Sequence, residues 1–153
     1  VAIASGGPTA MITTRQNVPV LEGTSAAGVA QGAYVLREAE GAAITLVGTG
    51  SEVAVCVEAA DQLAAAGITA RVVSMPCWEL FEAAGADVQS AVIPRSVPSL
   101  AIEAGVTMGW HRWVDDVVGI DRFGASAPGD TVMKELGISA DNLVARAHAL
   151  LES

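Results

Sequence analysis

An arginine on a polar loop is the first residue of this sequence with a clear capacity for chemistry. Arg15 is the first positively charged side chain of the chain, and it stands among the hydroxyl and amide side chains of Thr13, Thr14, Gln16 and Asn17. A guanidinium on such a loop is suited to bidentate binding of a phosphate or a carboxylate. From these residues alone, Arg15 is either a ligand-binding residue or an ordinary surface arginine.

A glycine turn between a predicted strand and a predicted helix is the second candidate site. Backbone N–H groups at such a helix start can bind an anion, and the residues that would do so here are Gly48, Gly50 and Ser51. The third glycine of the dinucleotide-binding fingerprint is absent, as is the lysine of a P-loop. A tight turn with a capping box, in which Thr49 is the N-cap and Glu52 its partner, explains the same residues, and we favour it.

The two histidines and two of the tryptophans have structural explanations. His148 falls on the polar face of the last predicted helix, so we expect it to be solvated. His111 has no nucleophile or carboxylate at a defined spacing, and we favour packing or an interface for it. Trp110 and Trp113 could stack on a base, but in an acidic chain their helical spacing favours the core or a subunit contact.

The remaining reactive side chains are a glutamate and two cysteines. Glu103 ends an apolar run and would have a raised pKa if unpaired, but we favour hydrogen bonds to it from a helix end or from Arg71 or Arg122. Cys56 and Cys77 form no Cys-x-x-Cys motif and have no histidine nearby, which indicates small core residues of a reducing compartment. The sequence therefore predicts no catalytic residue and no metal site.

Alternating apolar runs and helical patterns must position these residues. Continuous apolar runs separated by helices are typical of parallel strands covered on both faces. We predict an α/β fold, a three-layer α/β/α sandwich with a mainly parallel sheet. The predicted strands are 9–14, 43–47, 70–75, 99–103 and 117–120, and the predicted helices are 51–66, 78–82, 107–114 and two near the end of the chain, around 132–136 and 143–151.

Composition excludes several classes of protein. The 153 residues are 52% hydrophobic, which excludes intrinsic disorder and fits about one domain. The net charge of −9 opposes binding to nucleic acid or to an anionic membrane surface. The charge-free stretches are too short for a transmembrane helix. Because the sequence begins at Val1 without an initiator methionine or a signal peptide, we expect a fragment of a larger cytoplasmic protein.

Five blocks of sequence resemble the C-terminal part of transketolase, in order and spacing. They are Thr-Arg-Gln-Asn-Val-Pro-Val-Leu-Glu at 14–22, Gly-Ala-Tyr-Val-Leu at 32–36, Gly-Thr-Gly-Ser-Glu-Val at 48–53, Arg-Val-Val-Ser-Met-Pro-Cys-Trp-Glu-Leu-Phe at 71–81 and Phe-Gly-Ala-Ser-Ala-Pro at 123–128. The C-terminal domains of other thiamine-diphosphate enzymes share the fold but lack these strings. The chain is therefore identified as a member of the transketolase family.

The resemblance implies an enzyme of the pentose phosphate pathway, a cytoplasmic homodimer that transfers a two-carbon ketol unit between phosphosugars. It implies that thiamine diphosphate and a divalent metal, Mg or Ca, are held by the N-terminal and pyrimidine-binding domains, with no cofactor in this chain. Arg15 matches the arginine that binds the substrate phosphate. Residues 1–21 match the last strand of the pyrimidine-binding domain plus a linker, and residues 22–153 the C-terminal domain, which is expected to support the dimer and to be inactive alone. The alternatives are a stand-alone regulatory or anion- or nucleotide-binding module, a pure assembly domain, or the equivalent domain of another thiamine-diphosphate enzyme.

Overall fold

Five strands form one mixed sheet at the centre of the molecule. The computed structural model describes all 153 residues. The strand order is β1-β3-β2-β4-β5, with β1 antiparallel to β3 and every other neighbouring pair parallel. The strands are β1 (Tyr34–Arg37), β2 (Ile44–Gly48), β3 (Ala70–Ser74), β4 (Ser99–Ile102) and β5 (Asp116–Val118). The predicted α/β fold with a mainly parallel sheet is confirmed.

Six α-helices and two short 3-10 helices connect and cover the strands. The α-helices are α1 (Ala26–Ala30), α2 (Glu52–Ala65), α3 (Trp78–Ala83), α4 (Ala86–Val92), α5 (Gly129–Glu135) and α6 (Ala140–Leu151), and the 3-10 helices are Ala2–Ala4 and Trp110–Arg112. None of the helices is long and apolar enough to span a bilayer. The helix predicted over 107–114 is reduced to the second 3-10 turn because Gly109, at φ +92°, has the left-handed conformation that interrupts a helix.

The sheet separates two hydrophobic clusters, one on each face. Alternate side chains of the strands point to opposite faces, so Leu46 and Val72 join one cluster while Val47 and Val73 join the other. The first cluster is closed by α2 and α6, which pack against each other through fully buried residues such as Leu63 and Leu143. The second lies under α3, α4 and the turn that holds Trp110 and Trp113. Two covered faces make the three layers of the predicted sandwich.

The predicted strand at 9–14 does not form. These residues have no regular secondary structure and are exposed, and the edges of the sheet are β1 and β5. A strand needs a neighbour to accept and donate its backbone hydrogen bonds, and no strand of this chain pairs with the segment. Leu21 is the first residue of this region to pack on the core. The proposed division into 1–21 and 22–153 stays a prediction.

Candidate functional site

The strand order creates a crevice at the carboxyl edge of the sheet. The chain leaves the central strand β2 toward β3 on one side, and β4 lies on the other side. In open α/β sheets such a reversal of strand order separates the loops that follow the two neighbouring strands, and ligands bind there. Here the turn after Gly48 and the residue Glu103, which follows β4, flank this crevice.

Close packing determines the conformation of the turn between β2 and α2. Gly48 is buried, and a Cβ on it would lie 3.0 Å from the Cys56 sulfur and from backbone atoms of α2, so the turn passes close to the helix. Thr49 does not act as an N-cap. Its carbonyl accepts a hydrogen bond from the N–H of Glu52 at 3.1 Å, Ser51 becomes the N-cap residue, and no side chain caps the helix. The predicted capping box is therefore wrong, because Glu52 is the first helical residue and not the third.

Glu52 is a buried carboxylate at the start of α2. Its side chain is 4% exposed, and its Oε1 accepts a hydrogen bond of 2.6 Å from the Ser51 hydroxyl. The N-terminus of a helix stabilises a negative charge through its unpaired N–H groups and its dipole. Sequence analysis treated Glu52 only as part of a cap, whereas the structure places its buried carboxylate at the cleft.

Glu103 faces Glu52 across the crevice without a cationic partner. Burial, and next the negative charge of Glu52, raise the pKa of Glu103 to about 7. The predicted arginine partners are engaged elsewhere, since Arg71 pairs with Glu38 at 2.8 Å and the Nε of Arg122 donates to a neighbouring backbone carbonyl. The favoured prediction of a hydrogen-bonded Glu103 is wrong, and the alternative of an unpaired carboxyl with a raised pKa is confirmed.

A cleft of about 660 Å³ opens at this edge and is acidic. Its charged lining residues are Glu52, Glu79 and Glu103, with no lysine, arginine or histidine. The other wall is built by the exposed N-terminal segment and includes Ile12, Thr13 and Thr14. These acidic side chains, with Glu103 only partly ionised at neutral pH, oppose the binding of an anion by electrostatic repulsion. The anion-binding role of the turn formed by Gly48, Gly50 and Ser51 stays a prediction, and its surroundings do not favour it.

Arg15 lies beside this cleft and is free to bind a ligand. It is exposed and follows Thr14, a residue of the cleft wall. The four ion pairs of the chain are made by other arginines, and no hydrogen bond engages the Arg15 side chain. A free guanidinium at the surface keeps all of its donors for a phosphate or carboxylate.

The remaining sequence candidates do not assemble into a site. His111 is exposed and His148 is partly exposed. The Cys77 thiol donates to Glu79 at 3.4 Å, whereas burial, and next Glu52, raise the pKa of the Cys56 thiol, which keeps it protonated. No group of three or more His, Cys, Asp or Glu side chains is arranged to hold a metal ion.

The tryptophans pack in the core, as favoured from the sequence. Trp110 is 1% exposed and meets Trp78 edge to face, with ring centroids 5.0 Å apart at 83°. Trp113 is 6% exposed and lies 5.2 Å from the Phe81 ring. Rings in these arrangements stabilise the second cluster. Because they are buried, they offer no platform for stacking a base.

Fold and cleft together define an α/β domain with a mixed sheet and an acidic carboxyl edge. Residues 32–139 match the family model described as "Transketolase-like TK C-terminal domain". The chain is 49% identical to the transketolase of Halalkalibacterium halodurans over 154 aligned positions, which cover 95% of the chain. It belongs to the transketolase C-terminal domain family.

Solved structures agree with the sequence relatives. The transketolase from Leishmania mexicana has a TM-score of 0.87 and 38% identity over 90% of this chain. A transketolase from Pichia stipitis in complex with sedoheptulose-7-phosphate has a TM-score of 0.88 and 35% identity, also over 90% of the chain. The chain spans only 23% of the length of the Halalkalibacterium protein and 20% of each of these two structures.

Proposed function

We propose that this chain is the C-terminal domain of a transketolase that transfers two-carbon ketol units between phosphosugars in the cytoplasm. The observation that carries the proposal is the 49% identity to a curated transketolase along 95% of the chain. The phosphosugar in the Pichia stipitis complex supports the substrate class. The enzyme is a homodimer, and this domain supports its assembly without performing catalysis alone.

The cofactors of such an enzyme, thiamine diphosphate and a divalent metal, do not fit the residues of this chain. The acidic cleft would repel a diphosphate, and its carboxylates do not converge in a set of metal ligands. The proposal therefore assigns both groups, and the chemistry that depends on them, to the domains that precede this one. No step of the reaction is assigned to a residue of this chain.

Arg15 contributes to substrate binding in this proposal by holding the terminal phosphate of the sugar. Arg15 is exposed, and its guanidinium has no partner within the chain. In the sequence it directly follows Thr14, whose side chain carries a hydroxyl and which lines the cleft. A bidentate guanidinium–phosphate contact is charge-assisted and worth about 1.5–3 kcal/mol. Such a contact selects phosphorylated over unphosphorylated sugars.

The test compares Arg15→Ala with Arg37→Ala in the full-length enzyme that contains this chain. Arg37 is a suitable control because it pairs with Asp61, and neither of these two residues lines the cleft. We expect Arg15→Ala to raise KM for a phosphorylated acceptor at least tenfold, with little change for an unphosphorylated aldehyde, and Arg37→Ala to change neither. An unchanged KM for the phosphorylated acceptor would refute the role of Arg15.

A binding measurement tests the assignment of the cofactor. Titration of the 153-residue chain with thiamine diphosphate and Mg²⁺ in a calorimeter should give no heat of binding at micromolar concentrations. Micromolar binding, or ketol transfer by this chain alone, would contradict the proposal. Full-length enzyme under the same conditions serves as the positive control.

A further inference from the structure

Exposed apolar side chains occur in two regions of the molecule. One is the N-terminal segment, residues 1–20. The other consists of two loops at the carboxyl edge, where Val106, Met108 and Phe123 are 56%, 81% and 96% exposed. No other large hydrophobic side chain is exposed, so the outer faces of the α-helices carry none. We call Val106, Met108 and Phe123 the edge patch.

The two loops of the edge patch are fixed in place by hydrogen bonds between them. Asp121 accepts from the backbone N–H of Thr107 at 2.8 Å and from its hydroxyl at 2.7 Å. The N–H of Ile120 donates to the carbonyl of Gly105 at 2.7 Å. The same bonds to Thr107 lower the pKa of Asp121, so it stays charged at neutral pH. The exposure of the patch is therefore a property of an ordered surface.

The N-terminal segment approaches the same edge of the sheet. Its residues Ile12, Thr13 and Thr14 line the acidic cleft, as Glu103 does. The first loop of the edge patch follows Glu103 in the sequence. The segment also exposes Met11 and Ile12 almost fully, at 75% and 95%. Exposed apolar groups on two segments at one edge of a sheet are typical of a surface that another protein domain covers.

The length of the relatives indicates which domain could cover the edge patch. This chain aligns with 23% of the Halalkalibacterium transketolase, so most of such an enzyme lies outside it. Because the N-terminal segment lies at the carboxyl edge, a domain that precedes it in the same polypeptide is connected to this chain at that edge. We propose that the edge patch is the surface on which the preceding domain of the same transketolase chain packs, an inference that rests on the proposed function.

Photo-crosslinking tests which body covers the patch. In full-length enzyme, p-benzoylphenylalanine replaces Phe123, and a matched sample carries it at Ala145, an exposed position on α6. We expect the Phe123 probe to give a crosslink, at the mass of a single chain, to a peptide that precedes residue 1. A product at twice the chain mass, which would place the partner subunit on the patch, would overturn the proposal, as would a yield no higher than at Ala145.

A double variant gives a second readout without a probe. Met108→Ser with Phe123→Ser should leave the unfolding midpoint of the isolated chain unchanged, because both side chains are exposed there. In the full-length enzyme the same variant should increase the rate of proteolytic cleavage in 15–21 about tenfold, since a loosened domain exposes the linker. An unchanged rate would refute the packing. Ketol transfer by the unmodified enzyme tests the proposed function separately.

Discussion

Replacing Glu103 with glutamine should make the domain more stable at pH 8 and leave its stability almost unchanged at pH 4.5. In the folded chain, burial and the charge of Glu52 raise the pKa of Glu103 from 4.5 to about 7. Between these two values the folded state keeps a proton that the unfolded state has released. Stability therefore falls as the pH rises through this window, and the full penalty is present above about pH 7. Glutamine keeps the shape of the side chain and cannot ionise.

The structure sets the size of the effect. At about 1.4 kcal/mol for each pKa unit, the raised pKa of Glu103 corresponds to a ceiling of about 3 kcal/mol. The side chain is only half-buried, so water screens its charge and the penalty is reduced to about 1 kcal/mol. Glu52→Gln should recover less of it, because burial is the larger of the two causes of the raised pKa.

Urea denaturation of the isolated chain at intervals between pH 4.5 and pH 8.5 measures the effect. Glu58→Gln, at an exposed position on α2, is the matched control for the loss of one negative charge. The Glu103→Gln curve should diverge upward from the wild-type curve as the pH rises, and the Glu58→Gln curve should remain parallel to it. If the Glu103→Gln protein kept the wild-type pH dependence, the assignment of an unpaired, partly buried carboxyl would be refuted.

Three further changes test the packing. Gly32 has φ +83°, and a Cβ on it would lie 2.1 Å from the backbone nitrogen of Phe81 in α3. Gly32→Ala should therefore destabilise the domain by more than about 3 kcal/mol, against about 1 kcal/mol for Gly41→Ala, where the space around the glycine is open. Equal urea midpoints for the two variants would contradict this. Leu143→Ala in α6 empties a fully buried site and should cost about 3 kcal/mol by the same assay, whereas a cost below about 1 kcal/mol would show that the site is poorly packed. The bond from Arg146 lowers the pKa of Asp116, so Asp116→Asn should destabilise by up to about 1 kcal/mol at pH 7. The difference should shrink as the pH falls below about 4, because acid protonates the wild-type carboxyl; a loss of undiminished size at about pH 2.5 would exclude the ion pair as its cause.

The centre of the fold could be predicted from sequence because its signals are local. The apolar run that became β2 (Ile44–Gly48) and the helical pattern that became α2 (Glu52–Ala65) end within a residue or two of the predicted limits. Gly67, with φ +82°, follows α2 in the left-handed conformation that glycine supplies at a helix C′ position, which is a local signal for the end of the helix. By contrast, β1 (Tyr34–Arg37) was missed since a strand of four residues is stabilised by its antiparallel pairing to β3 and has little pattern of its own.

The acidic cleft could be predicted only in part. Glu52 and Glu103 each follow a strand predicted to be parallel, and the carboxyl ends of parallel strands lie at one edge, so their proximity was within reach of the sequence. Their environment was not. Whether an arginine such as Arg71 reaches Glu103 depends on side-chain geometry, and here Glu38 engages that arginine instead. The spacing of Thr49 and Glu52 likewise fits a capping box. In the structure, however, the turn is closely packed and the helix begins only at Glu52.

The strand order also determines how the chain can fold. Consecutive strands β1 and β2 are not neighbours, because β3 lies between them, so the sheet contains no hairpin that could form early and locally. Every parallel pair needs a crossover to close, and β1 has no partner in the sheet until β3 is present, since β3 is its one neighbour. Assembly therefore depends on the β2-α2-β3 unit, and a nascent chain exposes the edge of β1 until that unit is complete.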